Sequence, residues 1–395
     1  MERIYLDHAA ATPADPEVMK AMEPYFSGQF ANPGSVHAFG QQAIATIDRS
    51  REAIAAQIGA GFRDLVFTSS ATEANNLVLR GAVAAFKKRY PKSVTPRVIV
   101  SSVEHESILE TAHDLAREGV AVHYVPVSAE GAVSLKNIKE LLDEDTVLVS
   151  VIYAQNEIGA VEPVPEISRT IQEFRGKNIF PLVHTDAAQA FQFLDCNVDG
   201  LGIDLMTLSS HKIYGPKGAG ALYIKGGAAK NKILMAEITG GGQEFGMRSG
   251  TENVPAIVGF AKAAELITAG RERENKKIRS LTDTLWNGIK KIYPDAELNG
   301  KAALNDASEN EHLPNILNVY FPGHHAEDLL TTWDLAGLAA SSGSACRSRA
   351  VGPSYVIEAM GHSKERARSS IRFSLGRPTT KEEVVGALKI IENAT

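Results

Sequence analysis

The sequence predicts an α/β fold built on a mainly parallel seven-stranded sheet, with a smaller α+β region after it. Three observations carry this expectation. Short apolar runs rich in branched residues alternate with amphipathic stretches through the first 225 residues. The texture then changes after Pro255, where Ile278, Leu281, Leu285, Ile289 and Ile292 repeat at helical spacing until Pro294. Finally, 395 residues exceed one small core, and a prior of ~150 residues per domain suggests two or three domains.

The candidate strands run Leu65 to Thr68, Arg97 to Ser101, Ala121 to Pro126, Thr146 to Tyr153, Pro181 to Thr185, Asp204 to Ser209 and Ala219 to Ile224. Helical patterns lie between them. Leu109, Ala112, Leu115 and Ala116 form one that Gly119 closes, and Ile167, Ile171 and Phe174 form another that Gly176 closes. In such sheets, ligands sit in the loops at the carboxyl ends of the strands. Further on, Asn315 to Phe321 and Ser370 to Leu375 read as strands, and Ala326 to Trp333 and Glu382 to Ile391 as helices. Lys301 to Glu311 reads as a polar surface loop.

Composition narrows the function classes. Hydrophobic residues at 44% and charged residues at 22% are ordinary for a globular protein. A net charge of −6 provides no basic field for a nucleic-acid backbone. No apolar run approaches the ~20 residues that span a bilayer, and the first residues lack the layout of a signal peptide. Two cysteines, Cys196 and Cys346, make no disulfide framework, so a reducing cytoplasm is the expected compartment.

Several short segments carry residues suited to chemistry. Lys212 follows a predicted buried strand and precedes a Gly/Pro turn, a placement that Schiff-base chemistry needs; a solvated loop lysine fits the local pattern as well. Asp186, ending another strand, suits a pyridinium nitrogen, with Gln189 near the ring oxygen; it also suits an ordinary helix cap. Thr68 to Asn76 reads as strand, small-residue turn and helix, so its backbone N–H groups suit a phosphate or simple capping. Glycines cluster at Gly240 to Gly242, before Arg248 to Asn253, and fit a ligand wrap or a structural turn. Arg372, within a strand pattern, suits a carboxylate or an edge facing water. Cys346 lies in the Gly/Ser segment Ser341 to Ser348 beside Arg347, which favours the thiolate of a thiol whose ordinary pKa is about 8.5. Cys196 stands in apolar surroundings and reads as packing. A metal site is not expected: His324 and His325 are adjacent on a helix and diverge, and no zincin or paired Cys-x-x-Cys pattern occurs.

Together these pieces resemble the cysteine desulfurase family (NifS/IscS-like), class V of the fold-type-I pyridoxal-phosphate enzymes. The resemblance runs nearly end to end. It rests on Tyr5-Leu6-Asp7, Asn32-Pro33, Ala71-Thr72-Glu73, Glu104-His105, Asn156-Glu157, His184-Thr185-Asp186, His211-Lys212, Arg248 to Thr251, Ser341 to Cys346 and Arg372 to Arg377. It implies the fold-type-I transferase architecture, with a large cofactor domain over residues 16–262 and a small domain from 1–15 and 263–395. It implies that Lys212 forms the Schiff base with pyridoxal 5'-phosphate and that Asp186 pairs with the ring nitrogen. His105 would stack on the ring and Gln189 contact its hydroxyl. Thr72, Ser209 and His211 would bind phosphate, with Thr251 reaching in from the other subunit of a homodimer, and Ala71 would also contact the cofactor. Asn156 and Arg372 would hold the substrate carboxylate, with Asn32 a further substrate-binding residue.

The implied reaction converts L-cysteine to L-alanine, leaving a persulfide on Cys346 for a sulfur-acceptor protein, an iron–sulfur scaffold or a thiolation enzyme. Selenocysteine lyase and class V aminotransferase are the neighbouring activities. His8, Gly34, Gln155 and Ser210 depart from the commonest family pattern. The Cys346 segment runs on to Ser354-Tyr355 without the deletion of the short-loop branch, so the long-loop branch matches better.

Overall fold

A computed structural model describes residues 3–91, 95–228, 233–300, 311–343 and 353–393. After Ile4–Tyr5 (β1), seven strands form one sheet: Leu65–Thr68 (β2), Arg97–Ser101 (β3), Ala121–Val125 (β4), Thr146–Ser150 (β5), Leu182–Asp186 (β6), Leu205–Ser209 (β7) and Gly220–Ile224 (β8). Their order is β2-β8-β7-β6-β5-β3-β4, and β8 alone runs antiparallel to its neighbours. The expected strands are all present, trimmed by at most a few residues at their ends, except that β6 starts one residue later and runs on to Asp186.

Why these strands read as continuous apolar runs is visible in the packing. Ile99 and Val149 join one core cluster with Ile257 and Phe260, whereas Val98, Val100 and Leu148 join another with Leu77 and Ile108. Helices cover both faces, so the strands are mainly apolar, and the polar side chains they keep, such as Ser150, His184, Thr185 and Thr207, are buried. Gly119 and Gly176 adopt positive φ where the helices Glu106–Arg117 and Val164–Arg175 end, as their spacing predicts.

The C-terminal region adds Glu297–Leu298 (β9), Ile316–Tyr320 (β10), Leu338–Ala339 (β11) and Ser370–Ser374 (β12). β12, β10 and β9 form an antiparallel sheet in that order. The N-terminal segment belongs with this region: β1 pairs with β11, and Asp7 bridges to Ser374. Helices Ala326–Leu335 and Lys381–Asn393 stand where the sequence places them.

One helix runs longer than the sequence suggests. It spans Val254–Ile292, so residues 262 and 263 both lie inside it. Asn253 caps it by accepting from Ala256 N, and Pro255 sits in its first turn, where a missing N–H costs nothing. Its first half is buried nearly all round by alanines and by Ile257 and Phe260, which removes the amphipathic contrast that marks the second half. Among the described residues, no helix is long and apolar enough to cross a membrane.

The glycine-rich segment is fixed from below. Arg51, on helix Ala38–Gln57, makes two bonds to Glu244, at 2.6 and 2.7 Å, and a third to Leu65 O at 2.9 Å. Glu244 also accepts from Phe67 N at 2.7 Å, and the rings of Phe67 and Phe245 flank the guanidinium. This pair is buried, so removing one partner leaves an uncompensated charge. Arg51→Met is expected to cost about 3–5 kcal/mol, read as a loss of unfolding free energy in urea; a change below ~1 kcal/mol would contradict the assignment.

Candidate active site

The carboxyl ends of the parallel strands open onto a cavity of ≈ 600 Å³. Asp186 ends β6 and Ser209 ends β7, followed at once by His211 and Lys212. His105 follows β3 and Asn156 follows β5, while Ala71 and Thr72 open the helix Ala71–Arg89 after β2. All of these line the cavity, together with Gln189 and Arg372.

A hydrogen-bonded chain crosses its floor. Asp186 Oδ2 accepts from Asn75 Nδ2 at 2.7 Å, and Oδ1 accepts from Ala188 N at 2.9 Å. Asn75 Nδ2 also donates to Ser107 Oγ at 2.8 Å, and that hydroxyl lies 2.9 Å from His105 Nδ1. The same Nδ1 accepts from Ser107 N. In a neutral ring the hydrogen therefore sits on Nε2. Burial holds the His105 pKa below its usual value, with Asp186 opposing and Lys212 assisting. Beside Asp186 in β6, His184 is enclosed between Ser150 and Thr207, and burial pushes it down to about 3.

Lys212 Nζ donates to Ala9 O at 2.5 Å and Ala10 O at 2.9 Å, so the N-terminal segment forms one wall. Gln189 Nε2 donates to the same Ala9 O at 2.8 Å. Opposite, Ser70 caps Ala71–Arg89 by accepting from Glu73 N, and the first N–H groups of that helix face no helical partner. Gly220 lets β8 touch this turn: a Cβ there would lie 2.5 Å from the Ser70 carbonyl carbon. Ser209 Oγ lies 3.1 Å from His211 Nδ1, and burial followed by the Lys212 charge lowers His211 to about 4. One end thus suits an anion, and the other offers a carboxylate and a primary amine.

Arg372 is buried rather than turned to water. Its Nη1 donates to Asn156 O at 2.9 Å and its Nη2 to Asp7 Oδ1 at 2.7 Å. Three enclosed acids surround the hairpin that carries Asn156. Glu104 accepts from Ile152 N at 2.6 Å, and burial with the nearby Asp186 charge drives its carboxyl well above the usual range. Burial pushes Glu157 up to about 7, with Ser354 and Arg372 pulling it back, and pushes Glu162 up to about 8, with Val133 N opposing.

Not every expected residue lines this cavity. Asn32 is exposed, and its Oδ1 accepts from Gly34 N at 2.9 Å. Thr251 is exposed and borders a separate cleft with Ser69, Gly218 and Arg248. Cys346 lies outside the described residues, as does most of the Lys301 to Glu311 segment. Cys196 is fully buried, as its apolar context predicts, and burial pushes its thiol up to about 12. Asp7 and Asn75 lie in segments singled out from the sequence but were given no role there, and Ser107 lies in none; all three carry bonds at the site. The available signal for Asn75 was a polar residue on the helix face otherwise buried through Ala74 and Val78.

Comparisons with known proteins show the family to which the chain belongs. The family described as Aminotransferase class-V matches residues 4–386. IscS 1 of Bacillus subtilis (strain 168) is 42% identical over 98% of this chain and 97% of its own. Cysteine desulfurase IscS of Dictyoglomus turgidum is 40% identical over 98% of this chain and 93% of its own. A solved NifS-like protein superposes with a TM-score of 0.88 at 33% identity, covering 99% of this chain and 98% of that one.

Two outcomes follow from the burial. In the native protein, iodoacetamide at pH 8 should leave the Cys196 peptide unmodified by mass spectrometry; labelling as fast as in the unfolded chain would contradict its burial. Glu162 titrates higher folded than unfolded, so its contribution to stability is complete below about 4.5 and fades as pH rises through about 8. Glu162→Gln should therefore gain in melting temperature over the parent between pH 4.5 and 9. An unchanged difference across that range would refute the assignment.

Proposed function

Because the chain belongs to the class-V aminotransferase family, and within it to the cysteine desulfurases, we propose that it converts L-cysteine to L-alanine and retains the sulfur on Cys346. The observation that carries the reading is the convergence of Lys212, Asp186, His105 and Arg372 on one cavity.

The donor set fits pyridoxal 5'-phosphate. The helix start at Ala71 and Thr72, with Ser209 and His211, would hold the phosphate; Asp186 would hold the ring nitrogen, and Lys212 lies within the same cavity. When bound, this cofactor supplies a sink for the charge that develops at the substrate Cα. Asn75 and Ala188 fix the Asp186 carboxylate so that it need not reorganise. Ser107 fixes the His105 tautomer. Gln189, which lines the same cavity, would meet the ring hydroxyl. Arg372 and Asn156 would grip the substrate carboxylate, and the Lys212 amine would take the Cα proton. The Cys346 thiolate then attacks the substrate sulfur. An S–S bond forms as the Cβ–S bond breaks, and protonation of the carbon fragment gives alanine.

A homodimer is part of the proposal. Phe26, Phe30, Val36 and Phe39 stand exposed in one short segment, which supports a covering second copy. Thr251 would then meet the phosphate of the neighbouring subunit. The sulfur acceptor would be an iron–sulfur scaffold or a thiolation enzyme in the cytoplasm.

The test is to incubate purified holoenzyme with L-cysteine, with and without reductant, and to measure alanine, sulfide and the mass of the Cys346 peptide. Cys346→Ala should lower alanine release by about a hundredfold or more while keeping the cofactor absorption band, as loss of a nucleophile typically does. Lys212→Ala should lose that band in its parent form and the activity with it. Full alanine release by Cys346→Ala would overturn the reading in favour of a selenocysteine lyase. Turnover with a keto-acid acceptor and no sulfide would favour an aminotransferase.

A further inference from the structure

Glu157 sits at the tip of the hairpin that carries Asn156, fully enclosed, and nothing above gives its carboxylate a task. Gln155 Oε1 fixes its backbone by accepting from Glu157 N and Ile158 N, at 2.5 and 3.0 Å. Asn318 Nδ2 donates to Glu157 O at 3.0 Å, tying the tip to β10. The side chain is therefore held on a rigid base.

Two stretches of chain meet this carboxylate from opposite directions. Ser354 Oγ donates to Glu157 Oε2 at 2.5 Å while accepting from Ile357 N, so Glu157 holds the cap of the helix Tyr355–Ala359. Gly343 packs on the same oxygen: a Cβ there would stand 2.3 Å from Glu157 Oε2, and its φ of +85° already favours glycine. Residues 343 and 354 are the described residues on either side of Cys346 in the sequence, apart from Pro353.

The same frame reaches the substrate grip. Ser341 and Arg372 exchange backbone bonds, at 3.1 and 2.6 Å, and Arg372 Nη1 holds Asn156 O. Tyr355 Oη donates to Glu104 O at 2.6 Å, next to His105. Both flanks of the Cys346 segment are thus bonded to the elements that would orient the substrate.

We propose that Glu157 is a positioning residue for sulfur abstraction, fixing both flanks of the Cys346 segment, through Gly343 and Ser354, in register with Asn156 and Arg372. The proposal rests on the desulfurase reading. Its physical content is that a buried carboxylate touching both ends of a segment sets where that segment can reach, whereas cofactor and substrate are held by other groups.

The experiment compares holoenzyme carrying Glu157→Ala, Glu157→Gln or Ser354→Ala with the parent. It records cofactor content, the absorbance change when L-cysteine binds, and single-turnover alanine formation per bound cofactor. Glu157→Ala and Ser354→Ala should slow alanine formation by about tenfold or more, since misplacing a reacting group by an ångström can cost about a hundredfold. The binding step should change by no more than about twofold on the same argument. Glu157→Gln still offers an oxygen to Ser354 and should recover most of the rate.

If both disrupting variants form alanine at the parent rate, the proposal is wrong. It is equally wrong if their losses track only cofactor content or substrate binding, as a purely structural role would give. Should Glu157→Ala not fold, Ser354→Ala decides. A parent enzyme that releases no alanine, or a Cys346→Ala variant that keeps its rate, would instead overturn the desulfurase reading.

Discussion

The guanidinium of Arg372 is a charge almost wholly enclosed by protein at the edge of the cavity, and its surroundings are arranged to satisfy it. Asp7 supplies the counter-charge from the N-terminal segment, Asn156 O accepts from the hairpin after β5, and the backbone on either side pairs with Ser341 and β10. A buried ion pair of this kind contributes little net stability but makes any displaced arrangement expensive. Three parts of the chain that are hundreds of residues apart in sequence are thereby held to one geometry. Ala9 and Ala10, on whose carbonyls the Lys212 amine rests, come next in the chain after Asp7 and His8, and Ala9 N also donates to Ser374 Oγ.

Around this anchor the site is kept short of free charge. His105, His184 and His211 are all held below their usual pKa by burial, so they are neutral hydrogen-bonding groups at physiological pH. Burial, with the Asp186 charge beside it, pushes Glu104 the other way, toward its uncharged form. Asp186, fixed by Asn75 and Ala188, is therefore the carboxylate best placed to act on whatever occupies the cavity. An interior of low polarity makes that action stronger, because fewer water dipoles screen it.

The fold was largely legible in the residues because local and global requirements coincide. Strands buried on both faces need unbroken apolar runs, and helix ends need Asn, Ser or Gly at set positions; both leave marks within a few residues of sequence. The long helix Val254–Ile292 shows the limit. Its first half is enclosed by other elements, so its alanines carry no stripe, and Pro255 looks like a boundary although it occupies the first turn. At the site, residues that lie at strand ends in recurring motifs were readable one by one: Asp186, Lys212, His105 and Asn156. Asn75 and Ser107 were not, because a polar side chain within the first turns of an ordinary helix acquires meaning only from what packs against it.

The sequence by itself determined the alternation of strands and helices, the chemical types gathered at the strand ends, and the family to which the chain belongs. Tertiary structure decided the rest. It turned Arg372 inward to Asp7, joined Asp186 to His105 through Asn75 and Ser107, and brought Gly343 and Ser354 onto one carboxylate of Glu157. These are contacts between residues tens to hundreds of positions apart. Their geometry depends on how whole elements pack, and short-range patterns in the chain hold no record of it.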